Sequence, residues 1–292
     1  MLGRLLVSVL LIVGAVSSAR DALAYTPFEL GTCSAASIRN RLVYLTRDLR
    51  CDYRELANGF LLEFRSSGTF ELRGFSIIID NMPADLDDAA LDLVRCSASR
   101  CKIVGPGVMQ RGVDQIAMRT KGGRVIVENV TLLDAGRTAI LAPSVEMTGG
   151  EIIAPRLAGL ATTKATITGS TIWGAGYPSV WPSFPASAVG IRATKTVTLV
   201  DATVSSHKSA GVEARWLKTS GSTIVDNDTD PACGVSTVCA DVALERAPKV
   251  ITPPLTCHTS FDESLCDGCG IGDALTPQND PSTHNFEVCS LD

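Results

Sequence analysis

Four residues that could support acid–base chemistry lie within one short stretch of the sequence. His207 and Lys208 are adjacent, and Glu213 and Arg215 follow shortly after them. An imidazole that is oriented by a carboxylate, such as that of Glu213 or Asp226, can act as a general base. We therefore take His207, Lys208, Glu213 and Arg215 as the candidate catalytic residues.

A structural interpretation of the same stretch is also open. Arg192 and Glu213 occupy equivalent places in neighbouring sequence repeats, and so do Arg215 and Glu245. Opposite charges on adjacent strands lie about 5 Å apart and stabilise the pairing. In that case these residues form a charge ladder, and His207 is a solvated turn residue.

A second group of residues has the character of a carbohydrate-binding site. Tyr177, Trp181 and Phe184 lie in a stretch rich in Gly, Pro and Ser, in a chain with only 5% aromatic residues. Aromatic side chains on the solvent side can stack against sugar rings, with Asp228, His207 and Lys208 as polar contacts. The alternative is a hydrophobic flap that seals a neighbouring strand face.

An acidic stretch provides a possible calcium site. Asp80, Asp85, Asp87 and Asp88 supply carboxylate oxygens, the ligands that Ca²⁺ prefers. A solvated acidic turn explains the same stretch without a metal. No other cofactor is expected.

The ten cysteines predict disulfide bonds. Local spacing suggests the pairs Cys33–Cys51, Cys96–Cys101 and Cys233–Cys239, and the pairing of Cys257, Cys266, Cys269 and Cys289 stays open. The alternative for the last group is zinc, bound by Cys266 and Cys269 with Cys257, His258, His284 or Cys289.

The first 24 residues have the features of a secretory signal peptide. Arg4 precedes an apolar run from Leu5 to Val16, which is too short to span a bilayer, and Ala22 to Ala24 is a small-x-small cleavage site. An uncleaved membrane anchor is the alternative. All ten cysteines follow this segment, so we expect a disulfide-bonded protein that is secreted, periplasmic or on the cell surface.

The composition excludes two further classes of protein. Apolar residues make up 45% of the chain, and the formal net charge is −5. These values exclude a disordered chain and a basic nucleic-acid binder. No later stretch is apolar enough to span a membrane, and the sequence does not define an oligomeric state.

The elements that position these residues follow from a repeat. An apolar residue, an outward residue and a second apolar or small residue recur at intervals of 25, 24, 20, 31, 21 and 30 residues. The repeats begin at Leu91, Ile116, Ile140, Leu160, Ile191, Val212 and Val242, and the second inward residues are Leu93, Met118, Ala142, Thr162, Ala193, Ala214 and Leu244. Alternation in a common register predicts three short strands per repeat in a parallel β-helix. An antiparallel sandwich is possible but would not explain that register.

These repeats define the expected organisation of the chain. We predict a signal peptide over 1–24, an N-terminal cap over 25–58, a parallel β-helix over 59–255 and a Cys-rich cap over 256–292. Leu61 would begin an eighth rung. Ile38, Leu42 and Leu45 have helical spacing, which allows a short capping helix.

Three longer connections should emerge along one edge of the rod. They cover residues 80–89, 174–188 and 228–240, each between the third strand of one rung and the first strand of the next. The candidate aromatic residues and Asp228 lie in the second and third of these connections. We therefore expect them to wall a groove.

The beginning of the chain resembles a known family. The stretches Leu45-Thr46-Arg47-Asp48-Leu49-Arg50-Cys51, Gly59-Phe60-Leu61-Leu62 and Phe70-Glu71-Leu72-Arg73-Gly74-Phe75-Ser76-Ile77 are similar to the opening of exported bacterial right-handed parallel β-helix repeat proteins, of the pectin-lyase-like superfamily. Glu71 and Phe75 stand where that opening usually has Asp and His. The resemblance implies a right-handed β-helix of about eight rungs and export, but one solenoid fold hosts many chemistries.

The resemblance does not extend to the catalytic signatures of that fold. Its lyases use an Arg or Lys base beside calcium-binding acids, and its glycoside hydrolases use grouped aspartates. The local motifs W-x-D-H, R-x-P-x-x-R, N-T-D and G-D-D are absent from the sequence. We therefore expect a non-catalytic binder of extracellular or envelope polysaccharide, or a surface scaffold. The alternatives are a polysaccharide lyase or glycoside hydrolase with a divergent active site, and an adhesin or structural surface protein.

Overall fold

The structure, a computed structural model, describes residues 26–39, 42–56, 58–83, 91–176, 188–225, 227, 240–244, 250–251 and 256–257. This part of the chain is all-β, as predicted, with 25 strands and one short 3-10 helix at Tyr53–Glu55. Within it no helix is long and apolar enough to cross a membrane. The predicted signal peptide and most of the predicted C-terminal cap lie outside the described residues.

The strands are short at the start of the chain and longest in its middle. The first thirteen are β1 (Phe28–Glu29), β2 (Ala36–Ile38), β3 (Leu42–Tyr44), β4 (Leu49–Asp52), β5 (Phe60–Phe64), β6 (Gly68–Glu71), β7 (Ser76–Asp80), β8 (Asp92–Cys96), β9 (Arg100–Val104), β10 (Val108–Gln110), β11 (Asp114–Met118), β12 (Arg124–Glu128) and β13 (Thr131–Leu133). The others are β14 (Thr138–Thr148), β15 (Glu151–Ile153), β16 (Ala158–Thr168), β17 (Thr171–Trp173), β18 (Val189–Val200), β19 (Thr203–Ser205), β20 (Ala210–Ala214), β21 (Trp216–Ser220), β22 (Thr223–Val225), β23 (Ala240–Leu244), β24 (Val250–Ile251) and β25 (Thr256–Cys257).

The strands pair in parallel with strands one repeat away in the sequence. Nine of them form one sheet in the order β4-β7-β10-β13-β15-β17-β19-β22-β25. We call it the third sheet because each of its strands is the third strand of a repeat. The other sixteen form a larger sheet, in which β14, β16 and β18 each supply the first and the second strand of a repeat without a break. Parallel neighbours require a crossover between them, and here each crossover is made of further strands. The sheets curl, and the arrangement is compatible with a β-helix-like solenoid.

The predicted column of inward apolar residues is confirmed over most of its length. Ile116 pairs with Ile140, and the column continues through Leu160, Ile191, Val212 and Val242, all of them fully buried. Each removes its side chain from water and packs against the residue above and below. This burial stabilises the stack by roughly 2 kcal/mol per side chain.

The column was predicted wrongly at its beginning. The residue that pairs with Ile116 is Val94 rather than Leu91, and the residue below Val94 is Leu62 rather than Leu61. Leu93 and Val94 are consecutive and both fully buried, so strict alternation fails there. Counting every second residue from Leu91 therefore misses the true register.

The capping helix was also predicted wrongly. Ile38 ends strand β2, Leu42 begins β3, and Leu45 lies directly after β3. Ala36 pairs with Leu62, and Leu42 pairs with Thr69. The segment thus extends the same sheets instead of covering them with a helix, because its backbone groups find partners in the strands of the next repeat.

Two of the predicted disulfides are present. Cys33–Cys51 and Cys96–Cys101 join Cα atoms 5.3 and 6.2 Å apart, across 18 and 5 residues of sequence. The predicted pair Cys233–Cys239, the side chain of Cys257, and Cys266, Cys269 and Cys289 lie outside the described residues. Disulfides persist in oxidising compartments, so the two observed bonds are compatible with an extracellular location.

The three longer connections leave the sheets where the sequence predicted. They join β7 to β8, β17 to β18 and β22 to β23, in each case the third sheet to the first strand of the following repeat. Residues 84–90, 177–187 and 228–239 themselves lie outside the described residues. All three are attached at the same end of the third-sheet strands, because the strands that precede them are in register.

Candidate functional site

The outer side of the third sheet presents two parallel columns of side chains. In each three-residue strand the middle residue, such as Ile152 or Ile172, is fully buried, and its two neighbours point outward. Over five consecutive strands the first outward column is Thr131, Glu151, Thr171, Thr203 and Thr223, and the second is Leu133, Ile153, Trp173, Ser205 and Val225. We call these ten residues the third-sheet face.

Trp173 is the most prominent residue of this face. Its exposed fraction is 41%, and it is the only large hydrophobic residue that is exposed in the described part of the chain. It lies between Ile153 and Ser205, with neighbouring strands about 4.8 Å apart. Backbone hydrogen bonds from Ala154 to the Trp173 carbonyl (2.9 Å) and from Gly174 to the Ser205 carbonyl (3.2 Å) hold its strand on both sides. The indole is therefore displayed on a rigid support.

The turn after Trp173 leads directly into the predicted aromatic connection. The amide of Gly176 donates to the Pro155 carbonyl (2.9 Å), and the amide of Lys208 donates to the Ala175 carbonyl (3.1 Å). A Cβ at Gly176 would lie 2.9 Å from Lys208 Cδ, and Gly176 has a φ of +82°, so only glycine fits there. Lys208 thus lies against this turn, whereas Tyr177, Trp181, Phe184 and Asp228 lie outside the described residues.

His207 is completely buried rather than exposed in a groove. Its Nδ1 accepts a hydrogen bond from the Ala175 amide (2.9 Å), and its Nε2 lies 3.1 Å from the Ile172 carbonyl oxygen. Because Nδ1 accepts a hydrogen bond and Nε2 faces a carbonyl oxygen, the imidazole is the neutral tautomer with its proton on Nε2. Burial lowers the pKa of the imidazole to about 3, although the bond to Ile172 opposes this shift. Such a histidine ties two turns together and is not placed to contact an external substrate.

The charge-ladder interpretation holds for the one pair that is described. Arg192 Nε donates to Glu213 Oε2 at 2.7 Å, across the paired strands β18 and β20. Arg215 is half-buried, and its Nε has no hydrogen-bond partner among the described residues. Glu245, its predicted partner, lies outside them. Glu213 therefore stabilises the stack through Arg192, and the structure does not bring the four candidate catalytic residues together at one exposed point.

Asp80 is held by arginines. Its carboxylate accepts hydrogen bonds from Arg50 and, at 3.5 Å, from Arg111 Nη1. Asp85, Asp87 and Asp88 lie outside the described residues, as do the side chains predicted as zinc ligands. Among the described residues no group of three or more His, Cys, Asp or Glu side chains could hold a metal ion. The calcium site stays a prediction.

A pair of stacked aspartates was missed by the sequence analysis. Asp92 and Asp114 pair across β8 and β11, and their exposed fractions are 2% and 0%. Arg119 donates to the Asp92 carboxylate from Nη2 (2.8 and 2.7 Å) and from Nε (3.2 Å), and Arg95 Nε donates to it at 2.7 Å. Neighbouring carboxylates can serve as an acid–base pair, but here guanidinium groups already occupy their oxygens.

Asp114 has an arginine of its own. Arg137 binds it through both Nε (3.1 Å) and Nη2, and that hydrogen bond raises the pKa of Arg137 above its ordinary value. The two aspartates therefore anchor a row of arginines whose outer parts reach solvent. One signal was visible in the sequence: each aspartate stands two residues before an inward apolar residue, Val94 or Ile116, where the other repeats have Phe, Thr, Ala or Val.

Replacing Asp92 by asparagine is expected to lower the free energy of unfolding by about 2 kcal/mol. The change leaves two guanidinium groups without their counter-charge, although their partial exposure reduces the cost below that of a fully buried pair. Glu146→Gln is the matched control, because its bond to Arg124 is exposed and surface pairs contribute at most about 1 kcal/mol. Equal urea midpoints for the two variants would contradict the anchoring role.

Comparisons of the chain with protein-family models, with curated proteins and with solved structures found no match.

Proposed function

We propose that this protein is an exported right-handed parallel β-helix that binds polysaccharide without cleaving it. The in-register parallel strands support the winding, and crossovers between parallel strands of one sheet are right-handed in about 98% of cases. The nine strands of the third sheet would then correspond to nine rungs. The two disulfides support export.

The observation that carries the binding function is the exposure of Trp173 on a rigid strand. Trp173 continues an outward line of apolar side chains, Leu133 and Ile153, and a contiguous apolar patch on a surface indicates a contact site. The flat side of an indole suits the C–H face of a sugar ring, and the threonine hydroxyls beside it suit the ring hydroxyls. Lys208, at the margin of this face, would supply a polar contact, as would Tyr177, Trp181, Phe184 and Asp228 of the predicted groove.

The catalytic alternative has weaker support in the described residues. His207 has both ring nitrogens occupied by backbone groups, and Glu213 is paired with Arg192. A lyase or glycoside hydrolase would have to free Asp92 and Asp114 from their arginines or use residues outside the described part. A pure scaffold or adhesin would need no ligand at all.

Replacing Trp173 by alanine is expected to weaken polysaccharide binding about tenfold. Loss of one stacking contact of this kind corresponds to about 1.4 kcal/mol. Binding is measured by affinity electrophoresis in gels that contain a panel of polysaccharides. Thr166→Ala is the control, because Thr166 is exposed on the larger sheet, away from the third-sheet face.

The outcomes separate the three functions. Binding that is reduced by Trp173→Ala and unchanged by Thr166→Ala supports the proposal. New reducing ends or unsaturated products, released from any polysaccharide of the panel, would show that the enzyme alternative is right. Retention by none of them would leave the scaffold function.

A further inference from the structure

The third-sheet face carries almost no charge. Of its ten outward residues only Glu151 is ionisable, five are hydroxyl-bearing and four are apolar. The outer side of the larger sheet is different: it carries the ion pairs Lys102–Glu128 and Arg124–Glu146, and the exposed Lys164 and Lys218. The low charge is therefore a property of this one face and not of the whole surface.

The two columns of the face have separate characters. Leu133, Ile153 and Trp173 form a continuous apolar line over three adjacent strands, and Val225 lies two strands further along the same line. On the same three strands Thr131, Glu151 and Thr171 form the neighbouring column, and Thr203 and Thr223 continue its hydroxyls on the next two strands. Five strands at about 4.8 Å give a strip roughly 19 Å long, enough for several sugar rings.

We propose that the ligand of the third-sheet face is an uncharged polysaccharide that lies across the strands, along the Leu133–Ile153–Trp173 line. This inference rests on the proposed function and narrows its ligand class. Apolar ring faces pack on the apolar line, and ring hydroxyls exchange hydrogen bonds with the threonine column. Each hydroxyl of that column both donates and accepts, which matches a sugar hydroxyl.

The charges of the face argue against an acidic polysaccharide. A carboxylate placed on the apolar line would lose water without gaining a cation, which is costly. Glu151 would also repel it at short range. Lys208 lies beyond the line, over the turn at Ala175, so the strip itself offers no positive charge.

The test compares neutral with acidic polysaccharides on the full secreted chain. Affinity electrophoresis and pull-down use mixed-linkage β-glucan, xyloglucan, cellulose and chitin as neutral probes, and polygalacturonate and alginate as acidic probes. We expect at least about tenfold stronger binding of a neutral probe than of either acidic one. That binding should change less than about twofold when salt is raised from low to high concentration, because it involves no ion pairs.

Two variants locate the binding on this face. Ile153→Asp should abolish neutral-probe binding, because it places a charge at the centre of the apolar line. Thr166→Ala should leave neutral binding within about twofold, because Thr166 is exposed on the larger sheet, away from the third-sheet face. Equal urea midpoints for these variants and the natural chain exclude unfolding as the cause.

Three other results would each contradict the proposed ligand. Tight binding of acidic probes alone would overturn this inference and leave polysaccharide binding intact. No binding of any probe would overturn both. A dimer in sedimentation that Trp173→Ala or Ile153→Asp dissociates would show that a second copy of the chain occupies the face.

Discussion

Replacing His207 by alanine is expected to lower the free energy of unfolding by about 4 kcal/mol. The substitution leaves the Ala175 amide and the Ile172 carbonyl without their partner, at a cost of about 1–3 kcal/mol for each. It also creates a cavity where the ring was fully enclosed. Urea denaturation, followed by circular dichroism, measures the change.

Two further variants make this result specific. His207→Gln offers one donor and one acceptor and should therefore recover part of the loss. Lys218→Ala, at an exposed position of β21, should stay within about 0.5 kcal/mol of the natural chain. If His207→Ala behaved like Lys218→Ala, the imidazole would not join the two turns.

Acid is expected to destabilise the protein through the same side chain. The folded-state pKa of His207 is about 3, below its ordinary value of 6.5, so the unfolded chain takes up the proton first as the pH falls. Stability is therefore highest above pH 6.5 and decreases by about 1.4 kcal/mol per pH unit between 6.5 and 3. From pH 8 to pH 4.5, before most carboxylates titrate, the loss should be about 3 kcal/mol.

His207→Gln is the control for the acid effect. The chain contains two other histidines, so the difference between the natural chain and this variant isolates the contribution of His207. The variant should lose about 3 kcal/mol less over that pH range. Parallel stability curves for the two proteins would show that His207 titrates normally in the folded state.

The architecture was largely predictable because its signal is a repeated one. Ile116, Ile140, Leu160, Ile191, Val212 and Val242 recur in a common register, and burying one member of this column requires burying all of them. The prediction failed at Leu91 and Leu61, where two consecutive side chains face the core. It also failed at Ile38 to Leu45, where apolar spacing is compatible with both a helix and two short strands.

The candidate site was less predictable, since exposure depends on three-dimensional neighbours. Trp173 follows the inward Ile172, so alternation places it outside. The sequence-based prediction assigned the aromatic contacts instead to the connection that follows it. His207 looks like a turn residue in the sequence. Its burial requires the space left by glycines that directly precede the inward apolar residues. A Cβ at Gly190 would lie 2.5 Å from His207 Nε2. The recurrence of glycine at positions 159, 190 and 211 was the available clue.

Strands β14 and β16 pair without a slip in register, from Thr138 opposite Ala158 to Thr148 opposite Thr168. Each paired residue therefore lies twenty positions after its partner. The same offset continues from β15 to β17. An additional copy of this twenty-residue unit would therefore meet the neighbours that the original unit already accommodates. Gene duplication within this stretch gives such a molecule a way to grow longer while its cross-section, and the chemistry displayed on each side, stays constant.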